Sequence, residues 1–182
     1  MQLSRRALNV RWAWTSAAAV AALGVLNLAD TALRARTGYG AADLQGVTTG
    51  WGIRVILDHW SNPTDSALAG FGLGFDYLFM PLYAAALYFG AIVARERFAP
   101  ATGLLRRVMA LLAVAPIAAA VFDACENALE LAMLTHGPSD ALAAMAAEAT
   151  TGKWVGIVAG LILTLLGLIG LVIKKKPEST PA

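Results

Sequence analysis

Asp123, Glu126, Asn127 and Glu130 follow one another at i, i+3, i+4 and i+7 inside an otherwise apolar run, a spacing that lays all four on one stripe of an α-helix. Asp76 lies in a second apolar run, Asn27 and Asp30 lie in a third, and Lys153 and Trp154 open a fourth. Carboxylates placed this way can hold a cation, carry a proton, or divide the roles of general acid and general base, with Asp123 and Glu126 the candidate catalytic pair. Asp-x-x-Glu on one helix also has the spacing of a two-carboxylate metal site, but such pairs are frequent by chance, and neither a metal nor a cofactor is expected. Met80 and Tyr83 fall at i+4 and i+7 from Asp76. The expected ligand-binding residues are Asp76, Asp123, Glu126, Asn127, Lys153 and Tyr83.

Positioning these groups is expensive, because an ionisable side chain at the centre of a bilayer costs about 2.5 to 3.5 kcal/mol and must face a bundle interior or a water-filled cavity. The chain has the composition for that setting. Of its 182 residues 58% are hydrophobic and only 14% charged, with a mean hydropathy of +0.63, far from the soluble average. Four runs, about 12–33, 67–94, 104–134 and 153–173, are each long enough for the roughly 20 helical residues that cross a hydrocarbon core. The fold expected is all-α: an integral membrane bundle of four transmembrane helices in one domain, 1–176, followed by a disordered cytoplasmic tail at 177–182.

Direction follows from the basic residues. Arg5, Arg6 and Arg11, then Arg95, Arg97, Arg106 and Arg107, then Lys174, Lys175 and Lys176 share one side, and only Arg34, Arg36, Arg54 and Lys153 fall on the other. By the positive-inside rule both termini and the middle loop are cytoplasmic, which is the topology of a multi-pass protein of the bacterial inner membrane. Ser4-Arg5-Arg6 before an apolar run also has the form of an export signal, but the run exceeds an ordinary signal core of about 7 to 15 residues. Asp30, Arg34 and Arg36 also crowd the place for a cleavage site. The first span is expected to stay.

Counting about 1.5 Å per residue from the outer span ends puts Glu130 about 6 Å deep, Glu126 about 12 Å, Asp76 about 14 Å and Asp123 about 16 Å. Asp76 and Asp123 are thus level. Near the interface Asn27, Asp30 and Glu130 are expected to snorkel into water as structural residues, whereas Asp76, Asp123 and Glu126 are too deep to be economical helix glue. Lys153 reads equally as a counter-ion or a boundary anchor. With five acids near one lysine, some carboxyls must be protonated, hydrated or paired with a cation, and Arg54 and His59 are expected to supply part of that. His59 and His136 otherwise read as ordinary loop residues, and Cys125 as a small buried hydrophobe.

In the first outer loop Ile53, Ile56, Leu57 and Trp60 recur at i, i+3, i+4 and i+7, the pattern of a short interfacial helix with Trp51 and Trp60 at headgroup depth. Asn62-Pro63 ends it. The third loop, 135–152, has room for a short helix. Gly70 and Gly74 have the spacing that lets helices touch closely, and Pro81 and Pro116 stand where each can kink its span.

Phe75-Asp76-Tyr77-Leu78-Phe79-Met80-Pro81-Leu82-Tyr83, followed in the next span by Phe122-Asp123-Ala124-Cys125-Glu126-Asn127-Ala128-Leu129, resembles a pattern in small uncharacterised bacterial four-helix membrane proteins. That resemblance implies no activity. A looser likeness, at the level of fold, is to the sterol-isomerase and sigma-2-receptor superfamily, whose compact bundles set intramembrane acids around an apolar ligand; the matching residues are Asp76, Asp123 and Glu126. Three roles stay open: an outward-facing acidic pocket that binds or transports a cation, proton or amphiphile; an enzyme acting on a lipid or isoprenoid through paired carboxylates; and a structural or assembly subunit. Membrane lipid is the expected partner, a homo-oligomer is left open, and the dispersed basic residues argue against nucleic acid. A glycine-rich phosphate loop, a cysteine pair, paired histidines for haem and a serine nucleophile elbow are all missing from the sequence.

Overall fold

The computed structural model describes residues 4–99 and 103–172. The expected tail at 177–182 and the last residue of the fourth span lie outside them. The protein is an all-α bundle: α1 (Arg5–Thr37), a 3₁₀ turn (Ala41–Leu44), α2 (Gly50–His59), α3 (Pro63–Phe98), α4 (Leu104–Leu112), α5 (Ala115–His136) and α6 (Asp140–Val172). Four helical stretches, Arg5–Thr37, Pro63–Phe98, Leu104–His136 and Asp140–Gly170, are long and apolar enough to cross a membrane. Large apolar side chains such as Trp14, Leu28, Val155, Leu165 and Ile169 point outward along them, a surface that water would not tolerate on a monomer.

Local chemistry sets the helix ends. The Ser4 hydroxyl accepts from the Ala7 N–H at 3.2 Å, and Asn62 Oδ1 accepts from the Thr64 N–H at 2.9 Å just before Pro63, whose missing donor is harmless in a first turn. Gly38 closes α1 in the left-handed region at φ 85°, a conformation that favours glycine. Pro81 sits within a continuous α3, whereas the third crossing stretch is broken at Ala113 and Val114, with Pro116 the second residue of the helix that follows. Pro116 cannot donate to the preceding turn, and two 3₁₀-like turns take up the mismatch.

α3 is the central helix and packs against α1, α5 and α6. The close seam is on α6, where a Cβ added at Gly152 would strike the Phe122 ring, one at Gly156 the Ala115 carbonyl at 2.6 Å, and one at Gly160 the Pro116 ring. Gly70 and Gly74, the pair expected to bring helices together, have nothing within 4 Å of an added Cβ. The small-residue spacing is real in both places, but only α6 has a partner against its glycines.

Two further expectations change. Trp60 turns inward instead of outward: Ile53, Ile56 and Trp60 are buried against Leu33, Ala69, Met133, Ala143 and Ala146, and Trp60 Nε1 donates to the Tyr39 carbonyl at 3.1 Å. Only Trp51 faces outward. A helical apolar stripe looks the same whether it meets lipid or protein, and here it caps one end of the bundle. The third loop shrinks to residues 137–139, because the Ala-rich segment after it forms the first turns of α6. Asp140 Oδ1 ties that start to the cap by accepting from the Gly50 N–H at 2.7 Å.

The seam predicts that Gly156→Val lowers stability in detergent by about 1–3 kcal/mol, the usual cost of overpacking, while Gly70→Ala changes it by less than about 0.5 kcal/mol. Thermal unfolding of the two purified variants beside wild type checks this. Equal losses would mean that the α5–α6 contact is not the close one.

Candidate functional site

Three side chains meet at one level because each stands thirteen residues from the cap end of its helix: Asp76 after Pro63, Asp123 before His136 and Lys153 after Asp140. That is about 20 Å along each axis. The Lys153 ammonium lies 3.1 Å from Asp123 Oδ1 and 2.5 Å from Glu126 Oε2, with all three side chains no more than 5% exposed. Lys153 is therefore a buried counter-ion, not a boundary anchor, because α6 begins well before it. Across the bundle Asn127 Nδ2 donates to Asp76 Oδ2 at 2.9 Å and to the Leu73 carbonyl at 3.1 Å, fixing the Asp76 carboxylate against α5.

These residues surround a cavity of about 300 Å³ between α1, α3, α5 and α6. Asp76, Asp123, Asn127, Glu130 and Lys153 supply its polar wall, Leu73, Phe79, Trp154 and Ile157 its apolar wall, and Asn27 and Asp30 its rim on α1. Glu130 corrects the sequence reading. Instead of snorkelling it is 2% exposed, and its Oε1 has no hydrogen-bond partner among the described residues. Its helix end is covered by α2 and by the early turns of α6, so water does not reach it as it would at a free terminus.

The remaining candidates separate cleanly. Glu126 is fully buried against Lys153 and is not part of the cavity wall. Tyr83 is buried beside Phe79, ring centroids 5.1 Å apart, and also lies outside the wall. Asp30 accepts from the Ala42 N–H at 3.3 Å and so anchors the connection after α1, while Asn27 is exposed at the rim. Arg54 and His59 do not compensate the acids: both are on the exposed face of α2, where His59 Nδ1 engages the Val55 carbonyl at 2.8 Å. Arg34 and Arg36 are matched to other acids, Asp43 at 2.8 Å and Asp65 at 2.5 Å. Cys125, expected to be buried, is exposed on the outward side of α5, since the helix turns Asp123, Glu126 and Asn127 inward instead. His136 meets the neighbouring Thr135 hydroxyl at 2.8 Å.

Chemically the wall is a set of acceptors with too little positive charge. Asp76, Asp123 and Glu130 face the cavity and Glu126 stands behind it, and among the described residues Lys153 is the one cation in the wall. Charge of this kind away from bulk water must be balanced by protons, ordered water or a positively charged guest. Among the described residues no group of three or more His, Cys, Asp or Glu is arranged to hold a metal ion. Carboxylate acceptors on the wall suit a guest that donates hydrogen bonds.

Removing Lys153 should strand two buried carboxylates, so Lys153→Met is expected to cost about 3–5 kcal/mol. Adding Asp123→Asn and Glu126→Gln to it should restore most of the loss, as read by thermal unfolding. A single variant as stable as wild type would show that water, not Lys153, supports the pair. The chain matches no family model, no curated protein and no solved structure.

Proposed function

We propose that the protein binds or passes a cationic small molecule through the cavity at Asp76, Asp123 and Glu130, and that it does so as a multi-pass protein of the bacterial inner membrane with both termini in the cytoplasm. The observation that carries the reading is Glu130, a carboxyl almost wholly buried, aimed into a cavity and lacking a partner for one oxygen. A protein that needed only adhesion between helices would satisfy that oxygen or replace it. The orientation is supported by the basic residues at the end away from the cap, Arg5, Arg6, Arg11, Arg95, Arg97, Arg106 and Arg107; with that end cytoplasmic, the cavity would lie in the outward half of the bilayer.

The acid–base alternative finds less support, because Glu126 is committed to Lys153 behind the wall and cannot share a reacting group with Asp123. Binding needs no such pair. Each charge-assisted hydrogen bond from guest to wall contributes about 1.5–3 kcal/mol.

The test is binding of a series of organic ammonium ions and lipids to detergent-purified protein, wild type beside Asp76→Asn, Asp123→Asn and Glu130→Gln. Asp76→Asn and Glu130→Gln are expected to lower affinity at least about tenfold, equivalent to about 1.4 kcal/mol, with unfolding temperatures near wild type. Asp123→Asn should lose binding and some stability together. Absence of binding in wild type, with Glu130→Gln as stable as the parent, would favour an assembly subunit whose acids are structural.

A further inference from the structure

The cavity has two conceivable approaches, and one is stoppered. At the cap end the connection after α1 folds over the opening: Ala41 and Ala42 line the cavity from above, and Leu44 is buried beneath its own turn. Three polar ties hold this cover. Asp30 packs so closely on Gly40 that any Cβ there would overlap its carboxylate, and it accepts from the Ala42 N–H. Arg34 reaches Asp43 at 2.8 Å, and Asp43 in turn accepts from the Gly40 N–H at 2.7 Å.

The second approach is sideways. Among the described residues α1 packs along α3 and against the 3₁₀ turn but forms no comparable seam with α5 or α6. On that side the cavity is lined by Leu23 and Leu26 on α1 and by Trp154 and Ile157 on α6. Leu23 and Trp154 are both exposed, at 42% and 50%. Each lies fourteen residues from the cap end of its helix, about 21 Å along the axis. A 33-residue helix is about 50 Å long, so when centred on a hydrocarbon core of about 30 Å it overhangs by about 10 Å. The window then opens roughly 10 Å inside the hydrocarbon. Whatever enters there must travel in lipid, yet the floor it meets is Asp76 and Glu130.

Resting on the reading of the cavity as a cation site, we propose that the ligand is a single-chain amphiphilic amine that enters from the bilayer between α1 and α6, seats its ammonium against Asp76 and Glu130, and leaves its tail in the window. The size agrees: about 300 Å³ is the volume of some ten waters at about 30 Å³ each, enough for a head group and its first carbons. A phosphate in the head would face Asp76, Asp123 and Glu130, with the Lys153 ammonium already held between Asp123 and Glu126, and would be disfavoured.

The probe is dodecylammonium brominated on its tail, added to the full protein in vesicles of zwitterionic lipid and read by quenching of tryptophan fluorescence. Quenching is expected to saturate, with the saturating component missing in Trp154→Phe. The double change Leu26→Phe with Ile157→Phe, which narrows the window with apolar side chains and leaves the acids alone, should weaken the probe at least about tenfold, as should Asp76→Asn. Ethylammonium, a head without a tail, should not displace the probe even at about hundredfold excess, because it gains nothing from the lipid route. Displacement by ethylammonium at comparable concentration, with the narrowed window binding like wild type, would overturn the sideways route while leaving the cation site standing. Displacement by dodecyl phosphate as effective as by the amine would overturn the charge selection. No saturable response to either ammonium would remove the cation site and this inference with it.

Discussion

The contact between the Lys153 ammonium and the carboxylates of Asp123 and Glu126 is the constraint around which the rest is built, since none of the three side chains can leave its partners without exposing a bare charge to an apolar interior. An ammonium has a short reach and no fork, so α5 and α6 must lie close and in fixed register for one nitrogen to sit between two acids a helical turn apart. Gly152, Gly156 and Gly160 supply that closeness, and the Phe122, Ala115 and Pro116 surfaces they abut define the register. The same requirement explains why α6 begins as far back as Asp140: a boundary lysine could choose among rotamers towards water, whereas one thirteen residues inside cannot.

Fixing α5 has consequences across the bundle. The stripe that turns Asp123 and Glu126 towards Lys153 also turns Asn127 towards α3, where its amide holds Asp76. Glu130, one turn on, is carried to the same interior under the cap made by Ile53, Ile56 and Trp60. Its unpartnered oxygen is thus a by-product of geometry that a more adhesive residue could have avoided. Local rules are kept almost everywhere else in the molecule, from the capped helix starts to the matched arginines near the cap. Among the described residues the buried Tyr83 hydroxyl and Glu126 Oε1 also lack a hydrogen-bond partner, but of these three only Glu130 lies on the cavity wall, where function is expected to reside.

Much of this was legible in the sequence, and the misreadings share a cause. Hydropathy located four crossing stretches, and the i, i+3, i+4, i+7 stripe brought Asp123, Glu126, Asn127 and Glu130 to one face. Hydropathy reports what lipid tolerates, however, not where a helix begins. The Ala-rich segment before Lys153, with Asp140 and Glu148, is too polar to count as a span, yet alanine is the strongest helix former, and so Lys153 looked like a terminus. The snorkelling expected of Glu130 failed for a related reason, because it assumed that α5 ends in water, whereas α2 covers that end. For Trp60 and for the glycine pairs the pattern was present, but a pattern on one helix does not name the surface it meets. Gly70-x-x-x-Gly74 and Gly152-x-x-x-Gly156 are equivalent as text; only the fold supplies a partner to one of them.

A second concavity shows why charge, and not size, singles out the acidic cavity. On the other side of α3, against α5, lies a groove of about 730 Å³ walled by Tyr77, Pro81, Ala84, Ala85, Ala120 and Ala124. It is larger, but its walls carry no charged side chain among the described residues, Met80, Tyr88, Phe89, Ile117 and Val121 completing them, and the Tyr77 hydroxyl is already donated to the Ala124 carbonyl at 3.0 Å. Bilayer lipid can fill such a groove with no preference for one molecule over another, because contact with acyl chains differs little from contact with the surrounding hydrocarbon. The smaller cavity sets several fixed acceptors against one ammonium, and a guest that brings positive charge gains there what it cannot gain from lipid. On the proposed reading, discrimination belongs to the side of α3 that faces Lys153.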